Sequence, residues 1–193
     1  GIKGEPIASD EGYSRWGKEF DNYSNVVRVS YYGPNGKRIV SIDGYTGWSA
    51  KYDASGNKIE TVYMSTKDEP MLGKDGYAGW LSEYDKTGNV ISETYTGLRG
   101  EPVLSSDGVA GSKSKYDTLG NITEQRYFGL DGKQVTHREG YSSWIASYDA
   151  RGNRVEERYL DINGKPALVP WEDGSDKKSS GYSSWKQKFN AQN

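Results

Sequence analysis

Gly140-Tyr141-Ser142-Ser143-Trp144-Ile145-Ala146-Ser147-Tyr148-Asp149-Ala150-Arg151-Gly152-Asn153-Arg154-Val155-Glu156-Glu157-Arg158-Tyr159 reads as two strands joined by a turn. Alternate side chains of a strand share a face. Trp144, Ala146 and Tyr148 therefore lie on one side and Ser143, Ile145 and Ser147 on the other. The small residue between the two aromatics leaves their rings room to lie flat. Asp149 to Asn153 predicts a hairpin turn, because Asp accepts local backbone N–H groups and Gly supplies a positive φ. On the return strand Val155, Glu157 and Tyr159 share a face.

The same pattern recurs along the chain. Tyr-Asp stands at Tyr52-Asp53, Tyr84-Asp85, Tyr116-Asp117 and Tyr148-Asp149, with Phe20-Asp21 ahead of them in the same 32-residue register. Gly-Tyr-x-x-Trp precedes it at Gly12, Gly44, Gly76 and Gly140. Gly-Asn follows at Gly56, Gly88, Gly120 and Gly152, and a lone Tyr recurs at Tyr31, Tyr63, Tyr95, Tyr127 and Tyr159. A fixed period of this length marks a repeat architecture. The sequence predicts an all-β, elongated array of about five to six β-hairpin repeats, as a solenoid or a continuous twisted sheet. One array over 1–193 is expected, with repeats near 12–43, 44–75, 76–107, 108–139 and 140–180 and partial repeats at 1–11 and 181–193. The final step, from Tyr148-Asp149 to Phe189-Asn190, is longer, and the extra residues fall in a Pro-, Gly- and charge-rich loop within 169–178. Gly4-Glu5-Pro6-Ile7 matches Gly100-Glu101-Pro102-Val103, so the chain opens inside a repeat. A fragment of a longer array, or an array with truncated end caps, is expected.

Composition agrees with this architecture. Leu, Ile, Val and Phe make up only about 16% of the chain, a share that warns of disorder. The net charge of −2, however, gives little self-repulsion, and 16 Tyr and 6 Trp supply the missing apolar surface. No helical apolar periodicity is present, and no apolar run is long enough for a membrane helix. No basic-then-apolar leader opens the sequence, so no signal peptide is expected. Without Cys, disulfides and thiolate chemistry are excluded. The near-neutral balance predicts no nucleic-acid footprint.

At Tyr-Asp-x-x-Gly-Asn the repeat resembles the YD repeats of bacterial Rhs-type proteins. Gly-Tyr-x-x-Trp resembles the aromatic repeats of cell-wall- or glucan-binding proteins. The first resemblance implies a β-hairpin array within a large secreted or surface-exposed protein. The second implies ligands held between aromatic rings of adjacent repeats. Together they place the chain outside the cell or at the bacterial surface.

The candidate ligand residues are the aromatic rows: Tyr13, Trp16, Tyr45, Trp48, Tyr77, Trp80, Tyr141, Trp144, Tyr182 and Trp185. Either these rings stack as the core of the array, or they form platforms for a polysaccharide or cell-wall polymer. Repeat four, Gly108-Val109-Ala110-Gly111-Ser112, loses its Tyr and Trp together while keeping its framework. That joint loss favours a replaceable binding unit, unless Leu119 and Phe128 fill the space. Residues three apart on a regular strand face opposite ways, so a bulge or an adjacent repeat must bring Tyr and Trp together. Asp53 and Asn57 offer too few oxygens for calcium and read as turn-stabilising groups. His137, alone in its linker, reads as solvated. Adjacent Glu156 and Glu157 point apart, and no nucleophile, phosphate-loop or dinucleotide motif is complete. The reading is a non-enzymatic binding module without a cofactor or metal and without membrane insertion. The alternative is a structural or protein-binding spacer of a larger surface or toxin-associated protein.

Overall fold

The computed structural model describes residues 9–171 and 179–186, with the backbone alone for residues 170, 171 and 179–182. Most of the opening partial repeat, most of the long loop and the closing Phe189-Asn190 lie outside the described residues. The strands are β1 (Arg15–Phe20), β2 (Val26–Tyr32), β3 (Gly47–Tyr52), β4 (Lys58–Tyr63), β5 (Gly79–Tyr84), β6 (Val90–Thr96) and β7 (Gly111–Tyr116). They continue as β8 (Ile122–Phe128), β9 (Ser143–Tyr148), β10 (Arg154–Leu160), β11 (Val169–Trp171), β12 (Ser179–Tyr182) and β13 (Ser184–Lys186). No helix occurs among the described residues. Eleven strands form one open sheet in the order β1-β2-β3-β4-β5-β6-β7-β8-β9-β10-β13, and β11 pairs with β12 separately. Chain contacts divide the protein into two compact units, Gly1–Glu83 with Thr94–Ser105 and Tyr84–Glu93 with Ser106–Asn193.

Each hairpin forms for the reason its sequence gives. In the turns, the Asp of Tyr-Asp accepts two backbone N–H groups on one oxygen and the Asn side chain on the other. Asp53 Oδ1 takes Ser55 N and Asn57 N at 2.9 Å, and its Oδ2 takes Asn57 Nδ2 at 2.9 Å. Asp21, Asp117 and Asp149 repeat this arrangement. Gly56 closes its turn at φ 83°, which L side chains rarely adopt. The carboxylate is thus committed to its own loop, the turn-stabilising role read from the sequence. The Tyr of Tyr-Asp has a separate task. Its hydroxyl donates 26 residues back, to the first carbonyl of the preceding return strand: Tyr52 to Val26, Tyr116 to Val90 and Tyr148 to Ile122, at 2.7 to 2.9 Å. One dipeptide therefore closes its own hairpin and ties that hairpin to the one before.

In unit one Trp48 faces Tyr63 and Ala50 faces Thr61 across β3 and β4, and Thr61 in turn faces Trp80 on β5. In unit two Trp144 faces Tyr159 and Ala146 faces Glu157. These are the faces expected from alternation. The opposite face is charged and carries pairs such as Lys51–Glu60 at 2.8 Å and Lys115–Glu124 at 2.6 Å. After each return strand the chain turns and makes a single backward bridge, such as Met64 to Pro70 or Leu160 to Pro166. The short edge strand expected in these Gly-Pro stretches is only that one bridge. A further turn then delivers the next Gly-Tyr. Successive copies of it are bonded to each other, as where Lys74 N meets Asp43 O at 2.9 Å.

Candidate functional site

The Tyr of Gly-Tyr-x-x-Trp stands before its strand begins, so the alternation rule does not apply to it. It lies between the lone tyrosines of two return strands. In unit one the rings run Tyr13, Tyr31, Tyr45, Tyr63, Tyr77, Tyr95. Tyr13–Tyr31, Tyr45–Tyr63 and Tyr77–Tyr95 stack at 4.4, 3.9 and 4.5 Å with planes within 11°. Tyr31–Tyr45 and Tyr63–Tyr77 bridge these pairs at 6.1 and 5.8 Å. Tyr45 and Trp48 thus both abut Tyr63, one by stacking and one across the strand pair. Adjacent strands bring the two candidates together without a bulge.

Burial holds the phenols of Tyr45 and Tyr63 well above the ordinary tyrosine pKa, reinforced by neighbouring tyrosines. Tyr13, at the end of the row, is pushed up to about 12, chiefly by its hydrogen bond to Glu11.

Unit two is built differently. Tyr127–Tyr141 and Tyr141–Tyr159 meet edge to face at 5.7 and 5.0 Å. His137 stands here in the place of Ser41 and Gly73. Its ring lies 5.1 Å from Tyr127 and 5.2 Å from Tyr141. The expectation of a solvated histidine is corrected here: the side chain is 11% exposed, Nδ1 accepts Glu139 N at 3.2 Å, and Nε2 lies 3.4 Å from Asp107 Oδ2. In unit one the same column must be small, since a Cβ on Gly73 would come within 2.9 Å of the Tyr63 ring.

Repeat four also answers how a Trp can be lost. Leu119 is 68% exposed in its turn and fills nothing. Phe128 lies under the Lys113 ammonium, 5.0 Å from its ring centre. The space beside Ser112 is taken by Gln125. Its amide nitrogen bonds Ser112 and Ser114 at 3.3 and 3.4 Å, and its oxygen accepts Trp144 Nε1 at 3.0 Å and the Tyr127 hydroxyl at 3.1 Å. Val109 is buried in the place of the missing Tyr. An aromatic contact has been exchanged for a satisfied polar network.

Trp48, Trp80, Trp144 and Trp185 are half-buried, and Trp16 is 51% exposed. Cations stand over three of these indoles: Lys18 over Trp16 at 4.5 Å, Lys58 over Trp48 at 4.3 Å and Arg154 over Trp185 at 5.6 Å. The side chain of Tyr182 lies outside the described residues. Two open clefts recur 64 residues apart in equivalent columns. One lies between the turn at Asp21–Asn25 and Tyr52, the other between the turn at Asp85–Asn89 and Tyr116. Neither is lined by a candidate Tyr or Trp. No cluster of three potential metal ligands occurs among the described residues.

Sequence reasoning treated the lone tyrosines as a marker and overlooked them as partners of the candidates. Their constant separation of 18 from the Gly-Tyr ring, as in Tyr45 and Tyr63, was the available signal.

The turn carboxylates Asp53, Asp117 and Asp149 are held below the ordinary Asp value, first by the Asn side chain. A lowered carboxyl pKa stabilises the fold above about pH 3.9 and loses that effect as pH falls through the folded value. A raised phenol pKa does the reverse, with stability full below about pH 10 and declining above it. The urea midpoint is therefore expected to be flat between about pH 5 and 9 and to fall at both ends. Absorbance of tyrosinate is expected to rise together with unfolding on the alkaline side. Free titration of all tyrosines near pH 10 in a folded chain would contradict the ladder.

No family model matches the chain, and no curated protein matches it. Among solved structures it is similar to a stretch of the Photorhabdus luminescens Tc holotoxin pore, at 13% identity and a TM-score of 0.34, over 84% of this chain and 10% of that one. It is similar also to a stretch of a TcdB2-TccC3 structure, at 14% identity and a TM-score of 0.20, over 84% of this chain and 9% of that one. The chain spans about a tenth of the length of each. At these TM-scores neither likeness bears on the fold or the function.

Proposed function

We propose that the chain is a non-catalytic structural repeat segment of a larger toxin-associated or surface protein, and that its partner is another protein. One observation carries this reading: the rings that a sugar would need are turned on one another. Tyr45 and Tyr63 lie 3.9 Å apart at 7°. A carbohydrate platform requires an open ring face, and a stacked pair has given up those faces to itself. The cations over Trp16, Trp48 and Trp185 cover part of what remains. The parent class, and with it a secreted or surface setting, rests on the resemblance of Tyr-Asp-x-x-Gly-Asn to YD repeats. The aromatic rows then serve the array, and the charged face and turn tips are left for contacts with protein.

Tryptophan emission is the direct test. Titration with peptidoglycan fragments, and separately with soluble glucans, is expected to leave intensity and wavelength unchanged. A saturable change that disappears on Trp48→Ala or Trp80→Ala would replace this reading with a carbohydrate-binding one.

A further inference from the structure

Alternation puts Lys113, Lys115, Arg126, Arg158 and Lys186 on the charged face of unit two, together with Glu124 and Glu156. Five cations thus stand against two carboxylates among the described residues of β7 to β10 and β13, in a chain whose net charge is −2. The same face of β1 to β5 in unit one is balanced, with Arg15, Arg28 and Lys51 beside Glu19, Glu60 and Glu83.

The hairpin framework does not call for the extra cations. Arg126 and Arg158 fall in the column that holds Ser30 and Val62 in unit one. Lys186 faces Glu156 as Ser49 faces Arg28. The strand pairs of unit one keep the same register with Ser or Val at these places. Closing a hairpin therefore does not account for the charge.

The carboxylates do not cancel the cations where a partner would arrive. Glu124 is held by Lys115 at 2.6 Å and by Arg126, and Glu156 by Lys186 at 3.2 Å and Arg158 at 3.8 Å. Each carboxylate sits beneath two cations: Glu124 is 14% exposed and Lys115 is 69% exposed. The positive heads meet solvent while the negative ones are largely covered. Such a field attracts anions and orients them before contact.

β9 runs through the middle of this patch and gives the face only Ser143, Ile145 and Ser147. Ile145 lies opposite Glu124 on one side and Arg158 on the other. The strand is thus a low strip with one apolar side chain, flanked by long cationic ones. An apolar centre inside a charged rim is the anatomy of a protein interface. Five strands span about 19 Å, at roughly 4.8 Å between neighbours. A small anion cannot use that width, and a phosphate chain gains nothing from Ile145.

We propose that this face binds an acidic, extended segment of a protein partner, laid along β9. An apolar side chain of the segment rests on Ile145, and its carboxylates reach Arg126, Arg158 and the neighbouring lysines. This builds on the protein-partner reading above and adds the partner's chemistry.

Fluorescence anisotropy of a labelled peptide alternating Glu and Leu, titrated with the 193-residue chain, is expected to give saturable binding that weakens as salt is raised. A peptide alternating Glu and Ser is expected to bind about threefold less tightly, for want of a contact with Ile145. Arg126→Ser and Arg158→Val install the residues that unit one carries in this column, so circular dichroism should not change. Each is expected to weaken binding about threefold, and the two together about tenfold. Lys133→Ser removes the same charge from an exposed turn beyond β8 and is expected to change nothing. No saturable binding at low salt, equal binding of the two peptides, or a loss from Lys133→Ser as large as from Arg158→Val would overturn the proposal. Tighter binding of a single-stranded oligonucleotide than of the Glu-Leu peptide would overturn it in favour of nucleic acid. A glucan response in tryptophan emission would instead unseat the protein-partner reading, which failure of the peptide alone leaves standing.

Discussion

Replacing Tyr63 by Ala is expected to destabilise unit one by about 3–5 kcal/mol, the cost typical of deleting a buried aromatic side chain. Tyr63 is 9% exposed. It stacks on Tyr45 at 3.9 Å, approaches Tyr77 at 5.8 Å and meets Trp80 edge-on at 5.7 Å. It also faces Trp48 across the strand pair. Tyr45 and Tyr77 cannot close over the gap easily, because Tyr31 and Tyr95 hold them from their other sides. At roughly 2–4 °C per kcal/mol for a chain of this size, the thermal midpoint should fall by about 6–20 °C. Tyr63→Phe keeps the ring and loses the hydroxyl, so its cost should be nearer 1 kcal/mol. Tyr23, exposed at a turn tip, serves as the control, since Tyr23→Ala should move the midpoint little. A midpoint for Tyr63→Ala that matches the control would show that the ladder is not the core.

Gly79→Ala is the second large effect. β4 and β5 approach so closely at Val62 and Gly79 that a Cβ on Gly79 would lie 2.0 Å from the Thr61 carbonyl oxygen and 2.9 Å from the Val62 Cα. Both obstacles are backbone, so relief requires the strands to separate. Overpacking typically costs about 1–3 kcal/mol, and a backbone clash of this depth belongs at or above the upper end. Gly47 has the same crowding against Val29 O, again at 2.0 Å. The equivalent position on β9 is Ser143, buried opposite Arg126, so that strand pair already accommodates a Cβ. Ser143→Gly should therefore gain nothing comparable, and chemical denaturation of the three variants side by side checks the contrast.

The hairpins were legible in the sequence because their causes are local. Asp-x-x-Gly-Asn encodes its own hydrogen bonds, and the alternation of Trp144, Ala146 and Tyr148 fixes a face. The aromatic ladder was only half legible. Tyr45 precedes β3, so no strand rule predicts where its ring goes, and it meets Tyr63 because its neighbour Thr46 bonds Met64 O just past β4. The exchange at repeat four was hidden for another reason. Gln125 lies in a column that elsewhere holds Val29, Thr61 or Glu157, and nothing about a lone Gln announces that it bonds four partners. His137 misled because isolation in sequence was taken for isolation in space. The crowding at Gly47 and Gly79 depends on how near two strands come, which composition does not carry.

In the strand order each hairpin sits beside the one made just before it. The side-chain hydrogen bond from Arg28 to Asp68 spans only 40 residues. Contacts this local make for rapid search and little topological penalty. A chain leaving the ribosome could complete each module as soon as its return strand emerged, with the Tyr-Asp hydroxyl latching every newcomer to a finished predecessor. Nascent segments would then spend little time with bare edges, which matters for a polymer so rich in aromatic surface.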